Sequence, residues 1–340
     1  MLELVQQMAG LHQEGYEVII VSSGAQYAGR ARLNFPDLGR SLPAKQMLSA
    51  VGQSYLMRIY ADLFDIFNII TAQVLLTRED LGYRSRYLNA RDTLLTLIDQ
   101  KIIPIINEND TIATEEIRVG DNDNLSAMVA SVLEADLLIL LTDQGGLYTA
   151  DPRSHVDAQL IPFVQEIDEA LIAVAGGAGS AGGTGGMLTK LQAAQTAGRS
   201  GVVTVIASGE TPQVIRQIVE GASIGTHFQP TSSKLESRKR WILTDRPSGK
   251  LMVDDGASRK LISNGASLLA VGVIEVEGHF ERGALVQIVN PDKHVIAQGL
   301  TNYSHQEVEK LIGKNSRLIH DLLGYSYGDA IVHRNNMVLI

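Results

Sequence analysis

Short continuous apolar runs alternate with stretches of helical periodicity over the first two-thirds of the chain. Val18–Val21, Ile69–Leu76, Ile102–Ile106 and Leu137–Leu141 are strand-sized runs. Between them, Ala44–Phe64 repeats apolar residues at Met47, Leu48, Val51, Leu56, Ile59 and Leu63, which predicts an amphipathic helix. Leu88–Ile98 and Leu125–Leu133 read the same way. Strands buried on both faces appear as unbroken apolar runs, so the pattern predicts an α/β fold: a mainly parallel sheet between layers of helices, an α/β/α sandwich. The chain opens inside another amphipathic helix, with Leu2, Val5, Met8 and Leu11 on one face. A βαβ unit places a strand ahead of such a helix. The reading therefore expects a strand upstream, and an unpaired position in the sheet without one.

Polar residues collect where these strands end. Ser22–Gly24, Asn107–Asp110 and Thr142–Gly146 each follow an apolar run. In open α/β sheets ligands bind outside the carboxyl ends of the strands, so the three segments are expected to converge on one cleft. The pattern changes near residue 230. Pro230–Pro247 is rich in Lys and Arg and reads as a solvated linker. Beyond it come short β-rich pieces, Gly249–Val253, Ser267–Val273 and Leu285–Val289, with turns at Asp254–Gly256 and Asn290–Asp292. The expected organisation is an α/β domain over 1–229, a linker over 230–248 and a small β-rich domain over 249–340.

Composition narrows the function classes. The 340 residues contain no cysteine, which excludes a disulfide scaffold, a thiolate nucleophile and cysteine metal ligands. The net charge of −9 carries no chain-wide basic footprint for nucleic acid. No apolar run approaches the roughly 20 residues that cross a bilayer, and Met1–Leu11 lacks the basic start of a signal peptide. A cytoplasmic protein that does not touch membrane is expected. The histidines form no H-x-x-x-H pair, and no G-x-S-x-G elbow is present, which argues against a zinc site and a serine hydrolase. No metal-ligating residue is assigned.

Three segments carry candidate chemistry. Gly176–Lys190 reads GGAGSAGGTGGMLTK and runs straight into an amphipathic helix with Lys190 in its first turn. Glycine-rich backbone and a helix N-terminus together can wrap an anion. A lysine there opposes the helix dipole, which makes most sense beside a bound phosphate. The segment is not a P-loop, because no G-K-S/T follows. The second candidate pairs Asn107–Asp110 (NEND) with Gly120–Asn124 (GDNDN). Dense Asp and Asn suit Mg²⁺, a substrate amine, or both. Turn chemistry and an Asn124 cap on the Leu125 helix are the alternative. The third is Ser23-Gly24, a phosphate contact, a nucleophile or a turn. Trp241 beside Arg238–Arg240 reads as a domain-contact anchor rather than a base-stacking site, so RNA binding is not expected.

Taken together, VSSGA, INENDTIA, VGDNDNLSA, LLTDQGGLYTADPR and GTGGMLTKLQAA, in that order, resemble the glutamate 5-kinase branch of the amino-acid kinase family. The tail from about Gly249 is similar to a PUA domain. The resemblance implies a kinase that moves the γ-phosphoryl group of ATP, with Mg²⁺, onto the side-chain carboxylate of L-glutamate, the first step of proline synthesis. It implies glutamate binding by Ser23, Asp110 and Asn122. Nucleotide binding would fall to Thr142, Asp143 and the glycine loop Thr184, Gly185, Gly186, Met187, Leu188, Thr189 and Lys190. It casts Lys190 as catalytic and Asp123 as the carboxylate that organises the catalytic lysines. L-Proline as feedback inhibitor and a homotetramer are further implications. Members open with a strand and a K-x-G-S/T segment, and neither stands ahead of Leu2 here. The alternatives are a ligand-binding or regulatory chain with impaired catalysis, and a related acyl-phosphate kinase for another amino acid such as aspartate.

Overall fold

The computed structural model describes residues 1–37, 41–112, 122–177, 186–243 and 246–340, except the side chains of Arg238, Arg240 and Trp241. The chain forms two compact units, Met1–Lys234 and Leu235–Ile340.

In the first unit the elements run α1 (Leu2–Gln13), β1 (Ile20–Val21), α2 (Ala25–Arg32), α3 (Leu42–Asp65), β2 (Thr71–Leu76), α4 (Arg78–Gly82), α5 (Arg84–Asp99) and β3 (Ile103–Glu108). They continue as α6 (Asn122–Val132), β4 (Leu137–Thr142), β5 (Phe163–Val164), α7 (Glu169–Gly177), α8 (Met187–Arg199), β6 (Val203–Ser208), α9 (Val214–Val219) and β7 (Thr226–Phe228). The expected helices and strands are present, with shifted ends. α3 begins at Leu42 because Ser41 caps it, accepting from the Ala44 N–H, and Pro43 suits its first turn. α6 starts at Asn122, so Asn124 lies inside the helix rather than capping it.

The strands form two hydrogen-bonded sheets rather than one. A three-stranded sheet has the order β1-β3-β2 and is parallel throughout. A four-stranded sheet has the order β4-β6-β7-β5, in which the β6–β7 pair is antiparallel. Helices bridge the two. α6 places Leu125, Val129 and Val132 against Leu76 and Ile106 of the first sheet, and Ala127 and Ala130 against Leu140 and Ile206 of the second. α1 sends Val5 and Ala9 to Ile20 and Ile105, while its Leu4 packs beside Val205 and Ala207. Gln7 of α1 also accepts from the Ile215 and Arg216 N–H groups at the start of α9.

Among the described residues β1 and β4 each have one neighbouring strand, and both line the same cavity. In a parallel ladder each residue directs its N–H and C=O to one side, and successive residues alternate. Ser22 N–H bonds the Ile106 carbonyl at 2.8 Å, and the Asp136 and Thr142 carbonyls accept from Val203 and Gly209. The backbone groups of Ile19, Val21, Leu137, Ile139 and Leu141 consequently face away from β3 and β6.

α10 (Lys234–Ile242) begins at the boundary between the units, inside the stretch expected to be a linker. The second unit then holds β8 (Gly249–Val253), α11 (Asp255–Asn264), β9 (Leu268–Leu269), β10 (Val273–Gly278), β11 (Leu285–Val289), β12 (Val295–Thr301), α12 (His305–Leu311), α13 (Ile319–Leu323) and β13 (Ala330–Leu339). Its six strands form one sheet, β10-β8-β11-β12-β13-β9, around a core that includes Leu251, Leu261, Ile288, Tyr303 and Ile331. The expected strand Ser267–Val273 is split, because a 3-10 turn over Ala270–Gly272 separates β9 from β10. The expected turn at Asp254–Gly256 is the start of α11, where Asp254 accepts from the Ala257 N–H at 2.7 Å. Tyr325 donates to the Glu307 carboxylate, and this bond holds the phenol up at about 12.

Candidate active site

A cavity of about 1550 Å³ runs along β1 and β4 and reaches the residues that follow β1 and β3. β1 runs into Ser22, Ser23 and Gly24. Gly24 has φ +95°, a conformation that favours a residue without Cβ, and it turns the chain directly into α2. β3 delivers Asn107 and Glu108, followed by Asp110. α6 begins with Asn122 and Asp123, and α8 begins at Met187, one turn before Lys190. Ser23, Asp110, Asn122, Asp123 and Lys190 all line this cavity.

Lys190 is buried, and its Nζ lies 2.9 Å from Asp123 Oδ2. The Thr189 hydroxyl sits 2.9 Å from the same oxygen and 2.7 Å from the Gly186 carbonyl. One carboxylate thus ties the start of α6 to the start of α8. Gly186, the N-cap of α8, offers no side-chain cap, and neither does Gly24 ahead of α2. Uncapped N-terminal N–H groups carry partial positive charge and suit an anion.

Thr142, Asp143, Met187 and Leu188, also expected at the nucleotide, are not among the residues that line the cavity. Thr142 ends β4, with its hydroxyl donating to Asp143 Oδ1 at 3.0 Å; Leu141 is the last residue of β4 on the cavity wall. Met187 and Leu188 pack against the core that contains Leu140, Leu191 and Ile206. Thr184 and Gly185 lie outside the described residues, as do Gly120 and Asp121. Among the described residues no group of three His, Cys, Asp or Glu side chains is arranged to hold a metal ion.

Behind Asn122 lies a polar network that reaches Gln53 and Tyr60 of α3, two residues that periodicity and motifs leave unmarked. Asn122 Nδ2 donates to the Ser22 carbonyl at 2.5 Å and to Asn107 Oδ1 at 2.8 Å. Asn107 Nδ2 donates to Gln53 Oε1 at 2.7 Å, and its Oδ1 also accepts from the Glu108 N–H at 2.8 Å. The Ser22 hydroxyl meets the Tyr60 hydroxyl at 3.1 Å and donates to the Ser23 carbonyl at 3.2 Å. Burial pushes the Tyr60 phenol above its ordinary range, against the hydrogen bond with Ser22. Gln53 and Tyr60 stand two turns apart on α3, so one helix braces both strand ends.

Comparison with known proteins follows the same division of the chain. Residues 1–208 match the family model for the amino acid kinase family, and residues 249–323 match that for the PUA domain. Over 341 residues the chain is 53% identical to a glutamate 5-kinase of Shewanella sediminis, covering 100% of this chain and 92% of that protein. It is 52% identical to the glutamate 5-kinase of Shewanella amazonensis, with 100% and 90% covered. It is 48% identical over 340 residues to that of Deinococcus radiodurans, with 100% and 94% covered.

Proposed function

The chain belongs to the amino acid kinase family and to its glutamate 5-kinases, and on that premise we propose which of its residues carry the reaction. The reaction is transfer of the γ-phosphoryl group of ATP to the side-chain carboxylate of L-glutamate, giving L-glutamyl 5-phosphate and ADP, the first step of proline biosynthesis.

The chemistry asks little of a general base. A glutamate side chain has a pKa of about 4.3, so near neutrality its carboxylate is already an ionised nucleophile. A carboxylate oxygen attacks the γ-phosphorus as the bond to the β-phosphate oxygen breaks. What remains is in-line positioning and neutralisation of charge on the moving phosphoryl group. The observation that carries the assignment is the Lys190–Asp123 pair at the start of α8, in one cavity with Ser23, Asp110 and Asn122. Lys190 neutralises the phosphoryl oxygens, and Asp123 holds the ammonium in place. The uncapped starts of α2 and α8 supply further positive potential.

Ser23, Asp110 and Asn122 bind the glutamate, and Thr142, Asp143 and the residues from Gly186 to Lys190 bind the nucleotide. ATP enters as its Mg²⁺ complex. A Mg²⁺ carried on phosphate oxygens and water asks for only one or two protein carboxylates. Feedback inhibition by L-proline and a tetrameric assembly belong to the same reading, supported by family resemblance alone.

The test is ADP release by this chain with Mg²⁺ and ATP, comparing glutamate with aspartate. Release that depends on glutamate is expected. Release with aspartate in its place would overturn the substrate, and no amino-acid-dependent release would overturn the catalytic reading.

A further inference from the structure

We propose that the hydroxyl of Ser49, in the middle of α3, binds the α-carboxylate of the substrate, the end of glutamate that is not phosphorylated. The inference rests on the assignment of Ser23, Asp110 and Asn122 to the amino acid and adds a substrate contact from a helix that the strand-end motifs do not reach.

Ser49 is a polar residue in a helix interior whose hydroxyl the protein does not use. A serine or threonine inside a helix commonly returns its hydroxyl to a carbonyl one turn back. Thr96 bonds the Asp92 carbonyl at 2.7 Å, Ser131 that of Ala127 at 2.8 Å and Thr196 that of Gln192 at 2.9 Å. Ser54, in the same helix as Ser49, bonds the Val51 carbonyl at 3.1 Å. The Ser49 hydroxyl makes no such bond and has no other partner among the described residues. Ser49 is only 5% exposed, yet it lines the cavity. A hydroxyl withheld from both the backbone and bulk water is costly, and the cavity is where a partner can reach it.

Its place on α3 identifies that partner. Leu48 and Gly52, before and after Ser49, are the α3 residues that lie against the backbone of α2. Gln53 and Tyr60, on the same face as Ser49, reach Asn107 and Ser22 at the ends of β3 and β1. Ser49 thus stands beside the amino-acid residues of the cavity, on a different wall from Lys190 and Asp123, which belong to α8 and α6. Glutamate offers three charged groups. Its side-chain carboxylate must meet the phosphoryl group at Lys190, and its ammonium suits the carboxylate of Asp110, which lines the same cavity. The α-carboxylate is the group left, and a hydroxyl can donate to it. The start of α2, where Gly24 offers no side-chain cap and the first turn holds no acidic residue, favours an anion on this wall as well.

The experiment uses the whole chain and Ser49→Ala. Alanine suits a helix interior, and the hydroxyl it removes bonds nothing in the protein, so the melting temperature should be unchanged. Affinity for glutamate, read by calorimetry without turnover, should fall about tenfold, the scale of one hydrogen bond to a charged group. Affinity for ATP should stay within about twofold. NMR of bound glutamate carrying ¹³C at C1 or at C5 identifies the carboxylate concerned. The C1 resonance should move between the unmodified chain and the variant, and the C5 resonance should hold still. A shift confined to C5 would give Ser49 to the reacting carboxylate, and unchanged affinity with neither resonance moved would take it out of the site; either result overturns the proposal. A loss of glutamate affinity that comes with a lower melting temperature would mark a structural role and overturn it too. If the unmodified chain binds no glutamate, the functional reading falls and this inference with it. If that chain binds glutamate and the variant matches it, the inference alone falls.

Discussion

Lys190 sits where a lysine is electrostatically out of place. It lies in the first turn of α8, its charge opposing the positive end of the helix, and it is 8% exposed. The Asp123 carboxylate at 2.9 Å holds it there, with Thr189 on the same oxygen. A cation kept at such a position is available to an incoming anion at no further cost of ordering. Lys190→Ala should lower glutamate-dependent ADP release by at least two orders of magnitude, about 3 kcal/mol, by analogy with loss of an oxyanion-stabilising donor. Circular dichroism should remain native. Retained turnover in a folded variant would remove Lys190 from the mechanism. At this scale the sequence is legible at strand ends: Ser23 and Asp110, which follow β1 and β3, both line the cavity. Gln53 and Tyr60 were not legible. Gln53 and Asn107 are 54 positions apart, and their bond exists only because α3 packs across the ends of β1 and β3.

Among the elements, the crossing of α2 and α3 sets the height at which that brace acts. A Cβ on Gly52 would stand 1.7 Å from the Ala25 carbonyl, and one on Gly29 would stand 1.9 Å from the Leu48 carbonyl. The two helices touch backbone to backbone, and the obstructing atoms are main chain, so no side-chain rotation relieves the clash. Gly52→Ala should destabilise the protein by about 2 kcal/mol or more, the upper range of overpacking, despite the better helix propensity of alanine. Thermal denaturation would reveal this, and an unchanged melting temperature would show that the helices separate freely. Helix α3 is readable from its apolar spacing, but this close approach is not, since one glycine in a periodic segment looks like any other. The starts of helices are similarly hidden. Asn122 and Asp123 open α6 with polar residues, and an apolar pattern registers the helix only from Leu125.

For the molecule as a whole, the α/β class and the β-rich second unit were readable from the alternation of runs. The division of the first unit into two sheets was not, because apolar runs report burial and say nothing of which strands are neighbours. α1 and α6 join the sheets through side chains, whereas β1 and β4 each pair on one side only among the described residues. Amide exchange should separate the two kinds of position. Val21, Ile139 and Leu141 should exchange far faster than Ile105 and Val205, which sit in strands paired on both sides. Equal protection would mean that the edges are closed in solution.

The Asp123 carboxylate couples the position of α6 to that of α8, since its Oδ2 meets both the Lys190 ammonium and the Thr189 hydroxyl.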